Sequence, residues 1–333
     1  MATKEQLRKV KSDPLDKLDA SVNHFTISVI IAAFSLERLP LLIKSVESIT
    51  RQSHRADETI IVIDNNERLF DIALNKFSGD KFLDCTVIKN EGQKGLSSAR
   101  NTGVLASKSE IVAFLDDDAY ADDDWLFKLT APYKNPLTAG TGGLVIPKFV
   151  TKTPDWLPEE FYWTIGCSYK GLPGTTSPIR NPIGASMSYR RQLLIEAGLF
   201  DVDMGRIGKT PLGCEETEAA IRICQLQDGM QIIYCPESIV SHSVPQERCT
   251  INYFLRRCYL EGVSKSMVTR RVGSSGLKSE TKHAFVNIPA AIVRNFALLV
   301  TKERKQSLKV LALITGLFAT SLGYLRGLIW RKR

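Results

Sequence analysis

The chain has 333 residues, of which 44% are hydrophobic and 24% are charged. These proportions are typical of a folded globular protein, and they exclude a disordered, collagen-like or disulfide-knotted chain. The length is sufficient for two domains or one large one, with ample material for a buried core.

The excess of positive charge is confined to the C-terminal quarter. The formal net charge is +8, but residues 252–333 carry 16 Lys and Arg against 3 Asp and Glu, whereas residues 1–251 carry 28 against 33. A uniformly basic surface would favour nucleic acid as a partner. This distribution instead indicates a mildly acidic body with a basic tail, so we expect no nucleic-acid partner.

The cysteines and the N-terminus favour a cytoplasmic protein. The seven cysteines form an odd set without a CxxC pair, which is typical of neither a disulfide framework nor a zinc ribbon. Residues 1–25 are polar and charged, unlike the apolar stretch of a signal peptide. We expect this segment to be a polar arm.

Strands and helices alternate four times between residues 27 and 115. Ile27–Ala33 is a nearly continuous apolar run rich in β-branched residues, which predicts a strand buried on both faces. In residues 36–49 the apolar positions recur every three or four residues, as on one face of a helix. The pattern repeats with strands at 59–63, 85–88 and 111–115, and with helices ending near residue 77 and spanning about 97–106. Such alternation predicts a doubly wound α/β domain with a mostly parallel sheet.

Acidic residues follow two of these strands. In α/β sheets ligands bind beyond the carboxyl ends of the strands, where Asp64 and the run Asp116, Asp117 and Asp118 are placed. Adjacent carboxylates repel one another unless a cation or water separates them, and Mg²⁺ and Mn²⁺ prefer oxygen ligands. The run therefore indicates a divalent-cation site, with a solvated acidic turn as the alternative. The motifs of dinucleotide dehydrogenases and P-loop NTPases do not occur.

Several segments in consistent order resemble glycosyltransferase family 2, whose members have the GT-A fold. SVIIAAF, IIVIDNN and NEGQKGLSSARNTGVLASKSEIVAFLDDDA resemble its nucleotide-binding half, and NPIGASMSYRRQLLIEAGLFDVD and GCEETEAAIRI resemble its acceptor half. The resemblance implies an α/β GT-A fold, with a Rossmann-like, mostly parallel central sheet flanked by helices. Its catalytic domain would span 26–265, divided at residue 120 into a nucleotide-binding and an acceptor half, before a helical C-terminal region at 266–333.

The resemblance also implies a donor site with Mg²⁺ or Mn²⁺ as cofactor. Asp116 and Asp118 match the first and last positions of the family's DxD motif, with Asp118 as direct metal ligand and Asp116 nearer the ribose. His242 matches a histidine that some members place near the metal or diphosphate, although a structural histidine is the alternative. The positions expected to bind the nucleotide-sugar are Ala33, Phe34, Glu37, Asp64, Gly95, Arg100, Asp116 and Asp117.

On the acceptor side, inverting transfer requires a carboxylate that takes the proton from the attacking hydroxyl. The family usually has Glu-Asp where this chain has Glu215-Glu216, and the aspartate is the base. The resemblance therefore implies Glu216 as the catalytic base and leaves Glu215 as the alternative, since the extra methylene displaces the carboxylate. The expected acceptor-binding positions are Trp156, Gly184, Ala185 and Glu218, with a hydrophobic plug as the alternative for Trp156.

The C-terminal region combines apolar runs with flanking basic residues. The run at 310–325 contains no charged residue, but a full membrane span needs about 20 residues. Basic residues beside apolar helices favour attachment to an anionic membrane surface, so we expect peripheral or monotopic attachment at the inner face of the cell membrane. The alternative is a helical hairpin that packs on the catalytic body or in a homodimer, where Gly323 and Gly327 would allow close packing.

The combined hypothesis is a metal-dependent inverting glycosyltransferase. It would move a sugar from a nucleotide-diphosphate donor, a UDP-sugar, to a glycan or lipid-linked acceptor in the synthesis of cell-surface polysaccharide or glycolipid. The alternative hypothesis is a nucleotide-sugar-binding scaffold that has lost catalysis, which the Glu-Glu pair in place of Glu-Asp would favour.

Overall fold

A computed structural model describes residues 25–79, 82, 84–205, 213–273, 287–291, 294 and 304–329. Most of the polar arm and most of the apolar run at 285–300 lie outside these residues. The strands are β1 Ile27–Ala33, β2 Glu58–Ile63, β3 Cys85–Lys89, β4 Ile111–Leu115, β5 Ala119–Ala121, β6 Thr138–Phe149, β7 Ser177–Ile179, β8 Ser186–Arg190 and β9 Gln231–Val244. The helices are α1 Leu39–Thr50, α2 Glu67–Lys76, α3 Leu96–Ala106, α4 Trp125–Thr130, α5 Arg191–Glu196, α6 Glu215–Gln225, α7 Ile251–Val272 and α8 Arg304–Ile329.

The nine strands form one sheet in the order β3-β2-β1-β4-β8-β6-β9-β5, and β7 pairs with β9. The first four strands are mutually parallel, as the alternation with helices predicts, and β8 then pairs antiparallel to β4. In that pairing Leu115 lies opposite Ser186. The end of β4 therefore lies beside the start of β8, which brings the two predicted halves of the site together.

The apolar run of β1 is continuous because helices cover both faces of the sheet. Val29 and Ile31 belong to one buried cluster with Val46 of α1, whereas Ile30 belongs to another that contains Val104 of α3. Gly103 allows the second contact, because a Cβ there would lie 2.5 Å from Cγ2 of Ile30. Burial on both faces removes the alternation that a half-exposed strand would show.

The C-terminal helices α7 and α8 run parallel in close contact. A Cβ on Gly262 of α7 would overlap the carbonyl oxygen of Thr320, and a Cβ on Gly323 of α8 would overlap that of Tyr259. The backbones can approach this closely only because glycine lacks a side chain. The contact lies within one chain, so these glycines join α8 to the catalytic body.

Candidate active site

A cavity opens where β1, β2 and β4 end, and residues from both predicted halves of the chain line it. Its volume is about 230 Å³. Most of the predicted site residues line it, namely Ala33, Phe34, Asp64, Gly95, Arg100, Asp116, Asp117, Asp118, Gly184, Ala185, Glu215, Glu216 and His242.

Asp116, Asp118 and His242 form a cluster that can hold a metal ion. Each offers one ligand atom, and these atoms lie within 4.8 Å of one another. The pairing of β5 with β9 positions the histidine, because His242 lies opposite Ala119. Its Nε2 is 3.3 Å from Oδ1 of Asp118.

The donor set fits a divalent cation. Two carboxylates and an imidazole are an acceptable ligand set for Mn²⁺, and the carboxylates also suit Mg²⁺. Between them, Oδ2 of Asp117 is buried and has no hydrogen-bond partner among the described residues. Burial and the neighbouring carboxylates Asp118 and Asp116 raise the pKa of Asp117 to about 8, although Arg38 opposes the shift. Three adjacent carboxylates in a buried site therefore require positive charge close to them.

Two arginines at this cluster carry the counter-charge. Arg38 donates to Oδ1 of Asp117 at 2.8 Å and also pairs with Asp118. Nη2 of Arg248 lies 3.7 Å from Oδ2 of Asp118. His242, followed by Arg38 and Arg248, holds the pKa of Asp118 well below its usual range despite burial. Arg38 was not predicted from the sequence, although it follows Glu37 directly in the loop after β1.

Glu37 itself differs from expectation. It is exposed and is not among the residues that line the cavity, whereas Arg38 is. Leu36–Arg38 forms a turn of 3₁₀ helix, and successive side chains on such a turn point in different directions. This turn sends the side chain of Arg38, rather than Glu37, to the aspartates.

Asp64 holds the entrance of α3 in place. Its Oδ2 accepts a hydrogen bond from the backbone N–H of Gly95 at 3.0 Å, and its Oδ1 accepts one from Asn90 at 2.7 Å. Gly95 has a φ of 144°, which favours glycine at this position before the helix. Asp64 therefore both lines the cavity and fixes the loop before α3, whose Gly95 also lines it.

Arg100 links the two halves of the site. Its guanidinium is buried and donates to Oε1 of Glu215 at 3.1 Å, to Oδ1 of Asp116 at 3.1 Å and to the carbonyl oxygen of Gly184 at 3.2 Å. A Cβ on Gly184 would lie 3.0 Å from Nη2 of Arg100, so the absent side chain leaves room for the guanidinium. One side chain thus fixes the DxD motif, the Glu-Glu pair and the loop before β8 relative to one another.

The two candidate bases have different environments at the start of α6. Both line the cavity, but Glu215 is buried and paired with Arg100, whereas Glu216 is half-buried and its carboxylate accepts a hydrogen bond from its own backbone N–H. Burial and the adjacent charge of Glu215 raise the pKa of Glu216 well above its ordinary value. Cys214, just before the pair, has a left-handed backbone with φ of 70°, which is unusual for a residue with a side chain and is typical of functional sites.

Two predicted acceptor residues lie elsewhere. Trp156 packs against Phe254, with ring centroids 5.4 Å apart, and is not among the cavity-lining residues. Glu218 points away from the cavity because Arg222, one helical turn later, pairs with both of its oxygens. Trp163, from the same aromatic stretch as Trp156, lines the cavity instead.

A cationic cluster lies beside Trp163 in the predicted acceptor half of the chain. Arg257 and Lys265 of α7 lie 5.7 Å and 5.8 Å from the centroid of the Trp163 ring, and all three line the cavity. Glu261, between them on the helix, accepts a hydrogen bond from Arg257 at 2.6 Å and one from the thiol of Cys214 at 3.2 Å. The cluster is therefore in contact with the segment that carries Glu215 and Glu216.

Relatives of known activity match over most of the chain. The model of "Glycosyl transferase family 2" matches residues 28–198. A protein of Haloferax volcanii named "Glucosyl-dolichyl phosphate glucuronosyltransferase" is 30% identical over 91% of this chain and 96% of its own length. Human polypeptide N-acetylgalactosaminyltransferase 18 is 26% identical over 62% of this chain and 36% of its own length.

Solved structures share the fold. A mannosyltransferase of Pyrobaculum calidifontis, in complex with GDP-Man and Mn²⁺, has a TM-score of 0.63 and 17% identity over 91% of this chain and 87% of its own. GalNAc-T7 with UDP, GalNAc and Mn²⁺ has a TM-score of 0.53 and 19% identity over 78% of this chain and 55% of its own. The predicted GT-A fold is confirmed, and the metal cluster supports the predicted Mg²⁺ or Mn²⁺ cofactor. The chain belongs to glycosyltransferase family 2 and is a glycosyltransferase.

Proposed function

We propose that the chain transfers a sugar, with inversion, from a UDP-sugar to a lipid-linked phosphate acceptor of the dolichyl-phosphate type at the inner face of a membrane, in glycolipid synthesis. The observation that carries this proposal is a single cavity that contains both the Asp116–Asp118–His242 cluster and Glu216. The relative from Haloferax volcanii supports the acceptor class through its name.

On the donor side, the residues of this chain hold and neutralise a nucleotide diphosphate. Asp116, Asp118 and His242 would hold the divalent cation, which stabilises negative charge on the departing diphosphate. Arg38 and Arg248, both at the aspartates, are placed to bind phosphate oxygens with charge-assisted hydrogen bonds. Ala33 and Phe34, with Asp64, form the wall that would contact the nucleoside.

On the acceptor side, Glu216 is the general base. Its raised pKa brings it closer to the operating pH than an ordinary glutamate, which suits a group that must accept a proton. Glu215 has the positioning role, since Arg100 pairs with its carboxylate, whereas Glu216, which also lines the cavity, forms no salt bridge with a described residue. The Glu-Glu pair therefore still provides a base, which favours catalysis over the scaffold hypothesis.

The outer face of α8 supports attachment to a membrane. Gln306–Ile329 has a mean hydropathy of 1.6 and is long and apolar enough to span a membrane. Its inner face packs on α7, however, so the helix is suited to lie along the membrane surface. The exposed apolar side chains on this helix are Leu308, Leu311, Ile314, Phe318, Leu322, Leu325, Leu328 and Ile329.

A ligand screen followed by a transfer assay tests the chemistry. With Mn²⁺ present, we expect a UDP-sugar to raise the melting temperature more than GDP- or dTDP-sugars, because a ligand that binds only the folded state stabilises it. The same donor should support transfer to glucosyl-dolichyl phosphate, and EDTA should abolish it. A larger increase in melting temperature with GDP-sugars would refute the choice of UDP as the nucleotide of the donor. Donor hydrolysis without transfer to this acceptor would refute the acceptor class.

Vesicle flotation tests the membrane surface. The full chain should float with vesicles that contain anionic lipid, and Phe318→Asp should reduce the floating fraction because this side chain is 69% exposed on α8. Phe127→Asp is the matched control, since Phe127 is 52% exposed on α4. Equal flotation of wild type and Phe318→Asp would contradict attachment through α8.

A further inference from the structure

One face of α7 carries polar residues at intervals of four. Tyr253, Arg257, Glu261 and Lys265 follow this spacing, which places them in one row along the helix. Arg257, Glu261 and Lys265 line the cavity. A row of this kind on a soluble helix normally faces water, whereas here three of its four members border the space next to the candidate base, and Tyr253 lies one turn before them.

The row carries more positive than negative charge. Although burial opposes ionisation, Arg257 and Lys265 lower the pKa of Glu261 to about 2, so this carboxylate is ionised at neutral pH. The row thus sets two cations beside one anion at the wall of the cavity. A phosphodiester, which carries one negative charge, suits this excess of cations on the row.

The guanidinium of Arg257 and the hydroxyl of Tyr253 have donors that a ligand could use. Arg257 has five N–H donors in a planar fork that matches phosphate oxygens, and Glu261 accepts from Nη1 only. The hydroxyl of Tyr253 is buried, and no described residue forms a hydrogen bond with it. This hydroxyl lies near enough to Arg248 and Arg257 to interact electrostatically with both. Buried polar groups without partners are rare in folded proteins, so such a donor indicates a ligand.

We propose that Tyr253, Arg257 and Lys265 bind the phosphodiester of the lipid-linked acceptor, with Trp163 as the wall against which its sugar packs. This inference rests on the proposed function and adds the subsite that recognises the acceptor. Glu261 has a positioning role, because it holds Arg257 in place and also accepts the thiol hydrogen of Cys214.

The position of the subsite fits the path of such an acceptor. Glu261 contacts Cys214, two residues before Glu216, and its charge influences Glu216. A phosphate bound at the row therefore places the attached sugar beside the base. The opposite side of α7 packs on α8, whose outer face is apolar, so the lipid chain can leave toward the membrane.

Paired acceptors test the inference. Glucosyl-dolichyl phosphate is compared with an alkyl glucoside of similar chain length that lacks the phosphate, using the full chain with donor and Mn²⁺. We expect Arg257→Gln and Lys265→Gln each to raise the KM for the phosphorylated acceptor by roughly tenfold or more, as expected for loss of a charge-assisted hydrogen bond. The KM for the alkyl glucoside should rise much less. The double variant Arg257→Gln/Glu261→Gln removes both partners of the ion pair and so leaves neither charge unpaired. It therefore distinguishes loss of phosphate binding from misfolding caused by an unpaired buried charge.

Arg256→Gln is the matched control, because Arg256 is the next residue on α7 but is exposed and does not line the cavity. It should leave both KM values unchanged. Equal effects of Arg257→Gln on both acceptors, or a comparable rise in the KM for the donor, would overturn the inference while leaving the proposed function intact. Reduced flotation with phosphatidylglycerol vesicles, without a change in acceptor KM, would assign the row to bulk lipid and also overturn it. Donor hydrolysis without transfer to either acceptor would overturn the proposed function itself.

Discussion

Replacement of Arg100 by lysine isolates the contribution of one planar side chain that binds both halves of the site. The guanidinium donates to Glu215, Asp116 and the carbonyl of Gly184 from two different nitrogens. Lysine keeps the charge but has a single nitrogen, so it cannot reach both carboxylates from the same position. We expect Arg100→Lys to retain one of these contacts and to leave a buried carboxylate without its partner.

The magnitude follows from the contacts that are lost. Each hydrogen bond to a charged group contributes about 1.5–3 kcal/mol, and losses within one network are not additive, so we expect destabilisation by about 3 kcal/mol in total. At an unfolding entropy of about 2.1 cal/mol/K per residue over 333 residues, that corresponds to a decrease in melting temperature of roughly 4 °C. Because Glu215 and Asp116 would shift, kcat/KM should fall by about 100-fold or more.

The assay combines thermal unfolding with initial rates of transfer at saturating Mn²⁺. Arg68→Lys on α2 is the matched control, because Arg68 is exposed and does not line the cavity. The control should match wild type in both measurements. If Arg100→Lys retained wild-type kcat/KM and melting temperature, the contacts of Arg100 with Asp116 and Glu215 would contribute to neither activity nor stability. The assignment of Glu215 as a positioning residue would then be refuted.

Three further perturbations test other parts of the molecule. Glu216→Gln should abolish transfer, and above pH 5 its melting temperature should increasingly exceed that of wild type. Because the pKa of Glu216 is raised in the folded state, this group contributes most to wild-type stability when it is protonated, and the contribution is lost as pH rises from the ordinary value of 4.5 through the raised value. A constant difference in melting temperature between variant and wild type from pH 5 to 9 would refute this. Asp118→Asn should remove the stabilisation that Mn²⁺ with nucleotide gives to wild type, and an unchanged shift would exclude Asp118 as a ligand. Gly323→Leu should destabilise the protein by about 1–3 kcal/mol in urea unfolding, because it forces α8 away from α7, whereas Ser321→Leu on the exposed side of α8 should not, and equal stabilities would contradict the close contact.

Local patterns in the sequence were sufficient to predict the fold class and most of the cavity wall. The run of β1 is apolar because helices bury both faces of the sheet, and this cause acts on every residue of the strand. The aspartates after β4 could likewise be placed, because the carboxyl ends of parallel strands share one edge. These predictions succeeded where chain order alone fixes the position of a side chain.

The sequence does not determine which side chain reaches the cavity where its position depends on loop geometry or on a distant partner. Glu37 and Arg38 are adjacent, and only the turn of the 3₁₀ helix decides which one reaches the aspartates. Glu218 resembles a site residue until Arg222 is seen to bind both of its oxygens. Trp156 and Trp163 are the same residue type in one aromatic stretch, so the sequence does not distinguish them. The ring of Trp156 packs against Phe254, and Trp163 is the one that lines the cavity.

The parallel contact of α7 and α8 also sets a distance. Since α7 borders the cavity on one side and α8 covers its other side, Glu216, the proposed base, lies about one or two helix diameters, roughly 10–20 Å, from the apolar outer face of α8. A phosphate with one or two sugars spans such a gap, whereas the far end of a long oligosaccharide would extend beyond it. We therefore expect transfer rates to fall steeply as sugars are added between the lipid and the accepting hydroxyl, a series that a set of acceptors of increasing length would measure. The combined thickness of α7 and α8 would then limit the length of the acceptor and restrict this enzyme to the early additions on a growing glycan.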